Sequence, residues 1–197
     1  MPTDVAACRV ILVGMMGSGK TTIGRLLSEA TGWPYVDNDE LVRRRSGTTA
    51  RQVLAEGGTH RLREVESAAL ALGLELPPPV IVGVAAGTVL DPANRALMSG
   101  SGIVVWLRAT AETLIARAGG AAHRPFVDRD GAHWMEETAA EREPLYAEIA
   151  DLSVDTGVGR PEESVRIIHS HVDEVCIGPG AHPHRRRRRG GWTQGAS

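Results

Sequence analysis

Eight consecutive residues, Gly14-Met15-Met16-Gly17-Ser18-Gly19-Lys20-Thr21, satisfy the spacing GxxxxGK[ST] at every fixed position. Glycines at these places let the backbone curl so that successive N–H groups point inward, a cradle suited to a phosphate. The lysine then reaches the outer phosphates, and the Thr21 hydroxyl is a ligand for Mg²⁺. Only one of the 22 basic residues is a lysine, and it is Lys20. A compact ammonium on a flexible stem therefore stands where phosphate is to be met. The expected ligand is a nucleoside triphosphate with Mg²⁺. A glycine-rich turn without a ligand is the competing reading.

The motif carries weight only between a strand and a helix. Residues 8–13 form an apolar run that reads as a buried strand, and Ile23, Leu26, Leu27 and Ala30 recur at helical spacing. A second strand ends at Asp37, with Asp39 two residues on. In an extended segment residues two apart point the same way, so both carboxylates are expected at one pocket. Helices are expected over 40–45, 49–56 and 60–74, with Gly57-Gly58 breaking the last two apart. Strands follow at 80–84, 103–107 and 152–154. Asp91-Pro92 reads as an N-cap with proline in the first turn, and Thr110 caps a helix reaching residue 118. A helix over 134–142 is expected to stop before Pro144, and Pro161 opens the last one. Strands alternating with helices predict an α/β fold with a five-stranded parallel sheet flanked by helices.

Length suits one domain, here residues 1–176, with a polar, turn-rich lid at about 119–132 and a disordered Gly/Pro/His/Arg-rich tail over 177–197. Residues 185–189 are all arginine, which leaves 17 basic against 24 acidic residues in the body. That acidic body gives no footprint for nucleic acid. The arginine run reads first as solvated tail, with a nucleic-acid or membrane-surface tether as the alternative. No apolar run is long enough to span a membrane, and the N-terminus lacks the plan of a signal peptide. Cys8 and Cys176 read as isolated thiols, so a disulfide is not expected and a reducing cytoplasm is.

Taken together these stretches resemble the shikimate kinases, P-loop enzymes of the nucleoside-monophosphate-kinase-like group, over nearly all of residues 9–175. Asp37-Asn38-Asp39 is similar to the family's Asp-Thr-Asp, and Leu62-Arg63-Glu64-Val65-Glu66 to its Phe-Arg-x-x-Glu. Arg124-Pro125 is similar to the lid pair, Arg142-Glu143-Pro144-Leu145-Tyr146 to Arg-x-Pro-Leu-Tyr, and Val154-Asp155-Thr156 to the adenine-side Val-Asp-Thr.

The resemblance implies a three-layer kinase fold and transfer of the γ-phosphoryl group of ATP to a hydroxyl of shikimate. It implies nucleotide contacts from Gly14, Met16, Gly17, Ser18, Gly19, Lys20, Thr21, Thr22, Arg117, Arg124 and Arg160, and Mg²⁺ held by Thr21 and Asp37. Substrate contacts would come from Asp39, Arg63, Ala85, Ala86, Gly87 and Arg142. Lys20, Asp39 and Arg124 would carry catalysis, Asp39 on the attacking hydroxyl and Arg124 over the transferring phosphate. Planar guanidinium forks suit a ring carboxylate. Taken singly, each arginine also reads as an ordinary surface charge.

One stretch departs from the family. Shikimate kinases carry Gly-Gly-Gly after the third strand, and here stand Ala85-Ala86-Gly87. Two added methyls beside the substrate ring favour, as alternatives, a relative acting on another cyclic polyol or sugar acid, or a nucleotide-binding module without turnover. A monomer is expected.

Overall fold

The computed structural model describes residues 8–118 and 131–176. A five-stranded, wholly parallel sheet runs in the order β2-β3-β1-β4-β5, from β1 (Arg9–Val13), β2 (Tyr35–Val36), β3 (Val80–Gly83), β4 (Ile103–Arg108) and β5 (Leu152–Asp155). β1 lies at the centre, with Val10 opposite Ile81 on one side and Ile103 on the other. Its residues from Val10 to Val13 are all buried, as a parallel strand covered on both faces requires. The expected fold class and strand count hold. The expected domain limits and lid fall partly, and the tail wholly, outside the described residues.

Alternation along the strands divides the core in two. Ile11, Val13, Val82, Val104 and Trp106 face one layer, with α2 (Asn38–Ser46), α3 (Ala50–Glu75), α4 (Pro92–Ser101) and α6 (Gly131–Ile149) supplying its other residues. Val10, Leu12, Ile81, Val105 and Leu107 face the opposite layer, covered by α1 (Lys20–Thr31) and α7 (Pro161–Cys176). The eight-residue α5 (Ala111–Ala118) lies beyond β4. In each layer the helices bury one apolar stripe against the sheet.

Several local expectations need correction. Asp37 and Asp39 do not share an extended segment. Asp37 ends the strand and caps α2, its carboxylate accepting the Asp39 N–H at 3.1 Å, so Asp39 already stands in the first helical turn. The break expected at Gly57-Gly58 is present, between two helical segments that together make up α3, opened by a Thr49/Gln52 capping box. They are kinked at Gly58, whose φ of 68° lies outside the helical range. Pro144 does not stop α6. Met135, Ala139, Arg142, Tyr146 and Ile149 form one buried stripe that continues through it, while Pro144 itself is exposed. Burial of that stripe outweighs the lost hydrogen bond.

Cys8 and Cys176 are not isolated thiols. α7 returns along the sheet beside α1 and brings its last residue to the start of β1, where the two form a disulfide with Cα atoms 6.1 Å apart. Contact across 168 residues is a product of the tertiary fold.

Candidate active site

The carboxyl ends of the parallel strands gather the chemistry on one edge, the usual crevice of an open α/β sheet. From β1 the chain enters Gly14–Thr21. Gly14 and Gly17 take φ of 143° and 80°, which L side chains rarely adopt. A Cβ at Gly14 would also lie 2.5 Å from the Leu107 carbonyl oxygen, and one at Gly17 would lie 2.8 Å from that of Leu114. Conformation and close approach both demand glycine there. Lys20 Nζ reaches back across the loop to the carbonyls of Gly14 at 2.8 Å and Met15 at 3.0 Å. Ser18 Oγ is buried within the loop and has no hydrogen-bond partner. An orphaned hydroxyl, a lysine and the N-terminus of α1 converge as a phosphate site requires. Met16 and Thr22 flank them, half-buried and exposed respectively.

At the mouth of the loop Thr21 Oγ1 donates to Asp37 Oδ2 at 2.8 Å. Tyr35 Oη donates to the same oxygen at 2.7 Å. Burial pushes the Asp37 carboxyl up, but the donors from Tyr35, the Asp39 amide and Thr21, with the Lys20 charge, more than reverse this and leave its pKa lowered. Burial first, and then the Asp37 charge, raise the Tyr35 phenol far above its ordinary value, so it stays a donor. Among the described residues no cluster of three His, Cys, Asp or Glu side chains forms a protein-only metal site. A hydroxyl and one ionised carboxylate beside a phosphate loop is instead the donor set that suits Mg²⁺, which keeps several waters and takes its remaining ligands from phosphate.

On the other side of the crevice Arg63 and Arg142 come together around a buried acid. Arg63 Nη1 is hydrogen-bonded to Glu66 Oε2 one helical turn on, and Glu66 is almost fully buried. Burial raises the Glu66 pKa against the pull of Arg63 and Arg142. Arg142 is only 7% exposed, its buried Nε has no hydrogen-bond partner, and burial lowers its pKa. Glu141 and Glu66 both act on the Arg142 charge, yet its buried Nε is left without an acceptor. Asp39, exposed on α2, lies close enough to act on the charge of Glu66. Its carboxylate therefore borders the same hollow.

The loop after β3 forms the roof. Thr88 N–H closes a turn on the Ala85 carbonyl at 3.1 Å, and the buried Tyr146 hydroxyl donates to the Ala86 carbonyl at 2.7 Å. Gly87 has φ −86°, ψ −10°, open to any residue. It gives the Arg63 guanidinium its room, since a Cβ would come within 2.6 Å of Arg63 Nη2 and displace that flexible end. Ala85 and Ala86 are half-buried.

Thr156, after β5, donates to the carbonyls of Ser18 at 3.0 Å and Arg108 at 2.9 Å, tying the β5 loop to the glycine loop. Arg117 Nη2 holds the Thr156 carbonyl at 2.7 Å, and Arg160 stands exposed with its Nε 3.8 Å from Glu162. Arg124 lies outside the described residues. Reading the sequence gave no site role to Glu66, Tyr146 or Tyr35. The first two sit inside motifs already noted, and Tyr35 stands two residues before Asp37 on a strand.

The chain is similar to known proteins over most of its length. The family model for shikimate kinase matches residues 16–173. A shikimate kinase of Aromatoleum aromaticum is 35% identical over 164 residues, 83% of this chain and 93% of that protein. One from Stenotrophomonas maltophilia is 38% identical over 151 residues, covering 76% and 83% respectively. Among solved structures, shikimate kinase from Acinetobacter baumannii in complex with shikimate superposes with a TM-score of 0.80 at 26% identity, over 85% of this chain and 94% of that one. Matched by the family model over most of its length, and more than 30% identical to relatives of which it covers over two thirds, the chain belongs to the shikimate kinase family.

Proposed function

We propose that this chain phosphorylates shikimate at the expense of ATP, with the residues described above in defined roles. The ATP phosphates lie in Gly14–Thr21, where backbone N–H groups, the Ser18 hydroxyl and Lys20 meet their charge. Lys20 leaves the Gly14 and Met15 carbonyls for the phosphate oxygens, exchanging neutral acceptors for charged ones. Thr21 and Asp37 would hold Mg²⁺, and the ion would supply charge neutralisation on the phosphates.

Arg63 and Arg142 grip the ring carboxylate, which supplies an acceptor for the unused Arg142 donor. Asp39 accepts the hydrogen bond of the attacking ring hydroxyl and takes its proton as the new P–O bond forms and the bond from the γ-phosphorus to the β–γ bridging oxygen breaks. The products are shikimate 3-phosphate and ADP. Arg117 holds the β5 loop against the nucleotide side, with Met16, Thr22 and Arg160 at its margin, and Arg124 is assigned to the transferring phosphate on sequence grounds alone.

One observation carries this reading: a nearly buried Arg142 beside Arg63, its Nε without a hydrogen-bond partner. A buried guanidinium with an unused donor suits an anionic ligand, and a hydroxylated ring acid also satisfies Asp39. Ala86 is pinned by Tyr146, and the loop leaves its close approach to Gly87, so the two added methyls are compatible with the ring. The test is the KM for shikimate beside an Ala85→Gly/Ala86→Gly double variant. Similar values in both support the assignment. Turnover on shikimate only after glycine is restored would transfer the site to another ring acid.

The reading includes a monomer in the cytoplasm acting on a small molecule. Among the described residues no helix is long and apolar enough to cross a membrane. In a reducing compartment Cys8 and Cys176 would be thiols, so the fold must persist without their bond.

A further inference from the structure

Tyr35 occupies a niche made for it by two separate elements. A Cβ on Gly24, in the middle of α1, would come within 2.5 Å of the Tyr35 ring, and one on Gly83, at the end of β3, within 2.5 Å of its hydroxyl. Glycine inside a helix costs about 1 kcal/mol relative to alanine, so α1 gives up stability to admit this ring. A phenylalanine would fill the same space. What tyrosine adds is the hydroxyl, which ends 2.7 Å from Asp37 Oδ2.

The three donors on Asp37 are distributed unevenly. Tyr35 Oη and Thr21 Oγ1 both reach Oδ2, while Oδ1 receives only the Asp39 N–H at 3.1 Å. Two donors on one oxygen fix the plane of the carboxylate and satisfy that oxygen, leaving Oδ1 with spare acceptor capacity. Because Thr21 gives its proton to Oδ2, its own lone pairs are left for a cation. Remove the Tyr35 hydroxyl, and Thr21 and the Asp39 amide alone must hold a carboxylate at a half-exposed strand end.

We propose that Tyr35 is a positioning residue for the divalent-cation end of this site, its hydroxyl locking Asp37 so that Asp37 and Thr21 present their free lone pairs together to the metal. The inference rests on the reading of Thr21 and Asp37 as the cation holders, and goes beyond it by naming what orients them. Tyr35 touches no substrate. It acts through Asp37, as an outer hydrogen-bond partner tunes a ligand elsewhere.

The test is Mn²⁺ binding to the full-length protein in the presence of ADP, followed by electron paramagnetic resonance, together with ADP affinity in metal-free buffer. Tyr35→Phe keeps the ring in its niche, and a thermal melt without ligands checks that the fold is retained. The expected result is about a tenfold weaker Mn²⁺ affinity, the scale of one hydrogen bond to a charged group. Metal-free ADP affinity should be unchanged, and the KM for Mg²⁺ should rise more than kcat falls. In an Asp37→Asn background the Tyr35→Phe change should add nothing. Unchanged Mn²⁺ affinity, an equal loss of metal-free ADP binding, or the same loss persisting beside Asp37→Asn would each overturn the proposal. If Asp37→Asn alone leaves Mn²⁺ binding intact, the assignment of the cation holders fails, and this inference fails with it.

Discussion

Replacing Arg142 with methionine separates a binding role from a structural one. The side chain is 7% exposed and its Nε has no partner, so the folded protein holds a desolvated charge without full compensation. Methionine keeps the aliphatic stem and needs no hydrogen bonds. Because Glu66 keeps Arg63 as its partner, removing this charge should leave stability within about 1 kcal/mol, a Tm shift of no more than about 2–4 °C for a chain of this size. The opposite holds for the substrate. A guanidinium fork on a carboxylate makes two charge-assisted hydrogen bonds of about 1.5–3 kcal/mol each. Taking about 3 kcal/mol for the pair, since such terms are not additive, kcat/KM for shikimate falls about a hundredfold. ATP affinity stays unchanged, because the phosphate loop is untouched. Steady-state kinetics with each substrate varied, beside calorimetry of the ligand-free protein, read both effects. A fall in Tm of more than about 5 °C with little change in the shikimate constant would show that Arg142 is structural, and would refute its role in holding the carboxylate.

Three further outcomes follow from the same geometry. Gly87→Ala places a methyl against the Arg63 guanidinium, whose flexible end must swing away. Stability should change little while the KM for shikimate rises about tenfold, the scale of one charged hydrogen bond, and the KM for ATP holds. Because the Asp37 pKa is lowered in the folded state, its contribution to stability is complete above its ordinary value near 3.8 and is lost as pH falls through the lower folded value. Urea unfolding across pH 2–7 should show that acid loss in the parent chain and a flatter profile in Asp37→Asn. Reducing the Cys8–Cys176 bond frees a loop of 168 residues. By chain entropy this costs at most about 5 kcal/mol, more typically 2–4, a fall in Tm of about 5–15 °C. Melting with and without reductant reads it, and identical curves would mean the thiols are not joined.

The legible parts of this chain were those set by local pattern. The glycine loop lies in eight consecutive residues, the strands are nearly continuous apolar runs, and Asp91-Pro92 marks its helix start by capping chemistry alone, with the Asp91 side chain accepting the Ala93 N–H as expected. What sequence reading missed depends on competition or on distance. Pro144 was weighed as a helix stop, but the stripe from Met135 to Ile149 outranks it. The Asp37–Asp39 spacing was read with the period of a strand, although β2 is only two residues long and Asp37 already caps a helix. Cys8 and Cys176 meet because of where α7 ends, which no local rule supplies. Nothing local to Tyr35 marks a role for it. Its role depends on Gly24 and Gly83, whose space for the ring is visible only once α1 and β3 pack beside β2.

The most direct test of the account is a single-vessel comparison of the purified protein and its Asp39→Asn variant with MgATP and shikimate, following ADP release and phosphorylated product together. The account predicts one ADP and one shikimate 3-phosphate per turnover in the parent protein, little ADP without shikimate, and loss of turnover in the variant with ATP binding kept. Shikimate-independent ADP release, or full activity in Asp39→Asn, would contradict it.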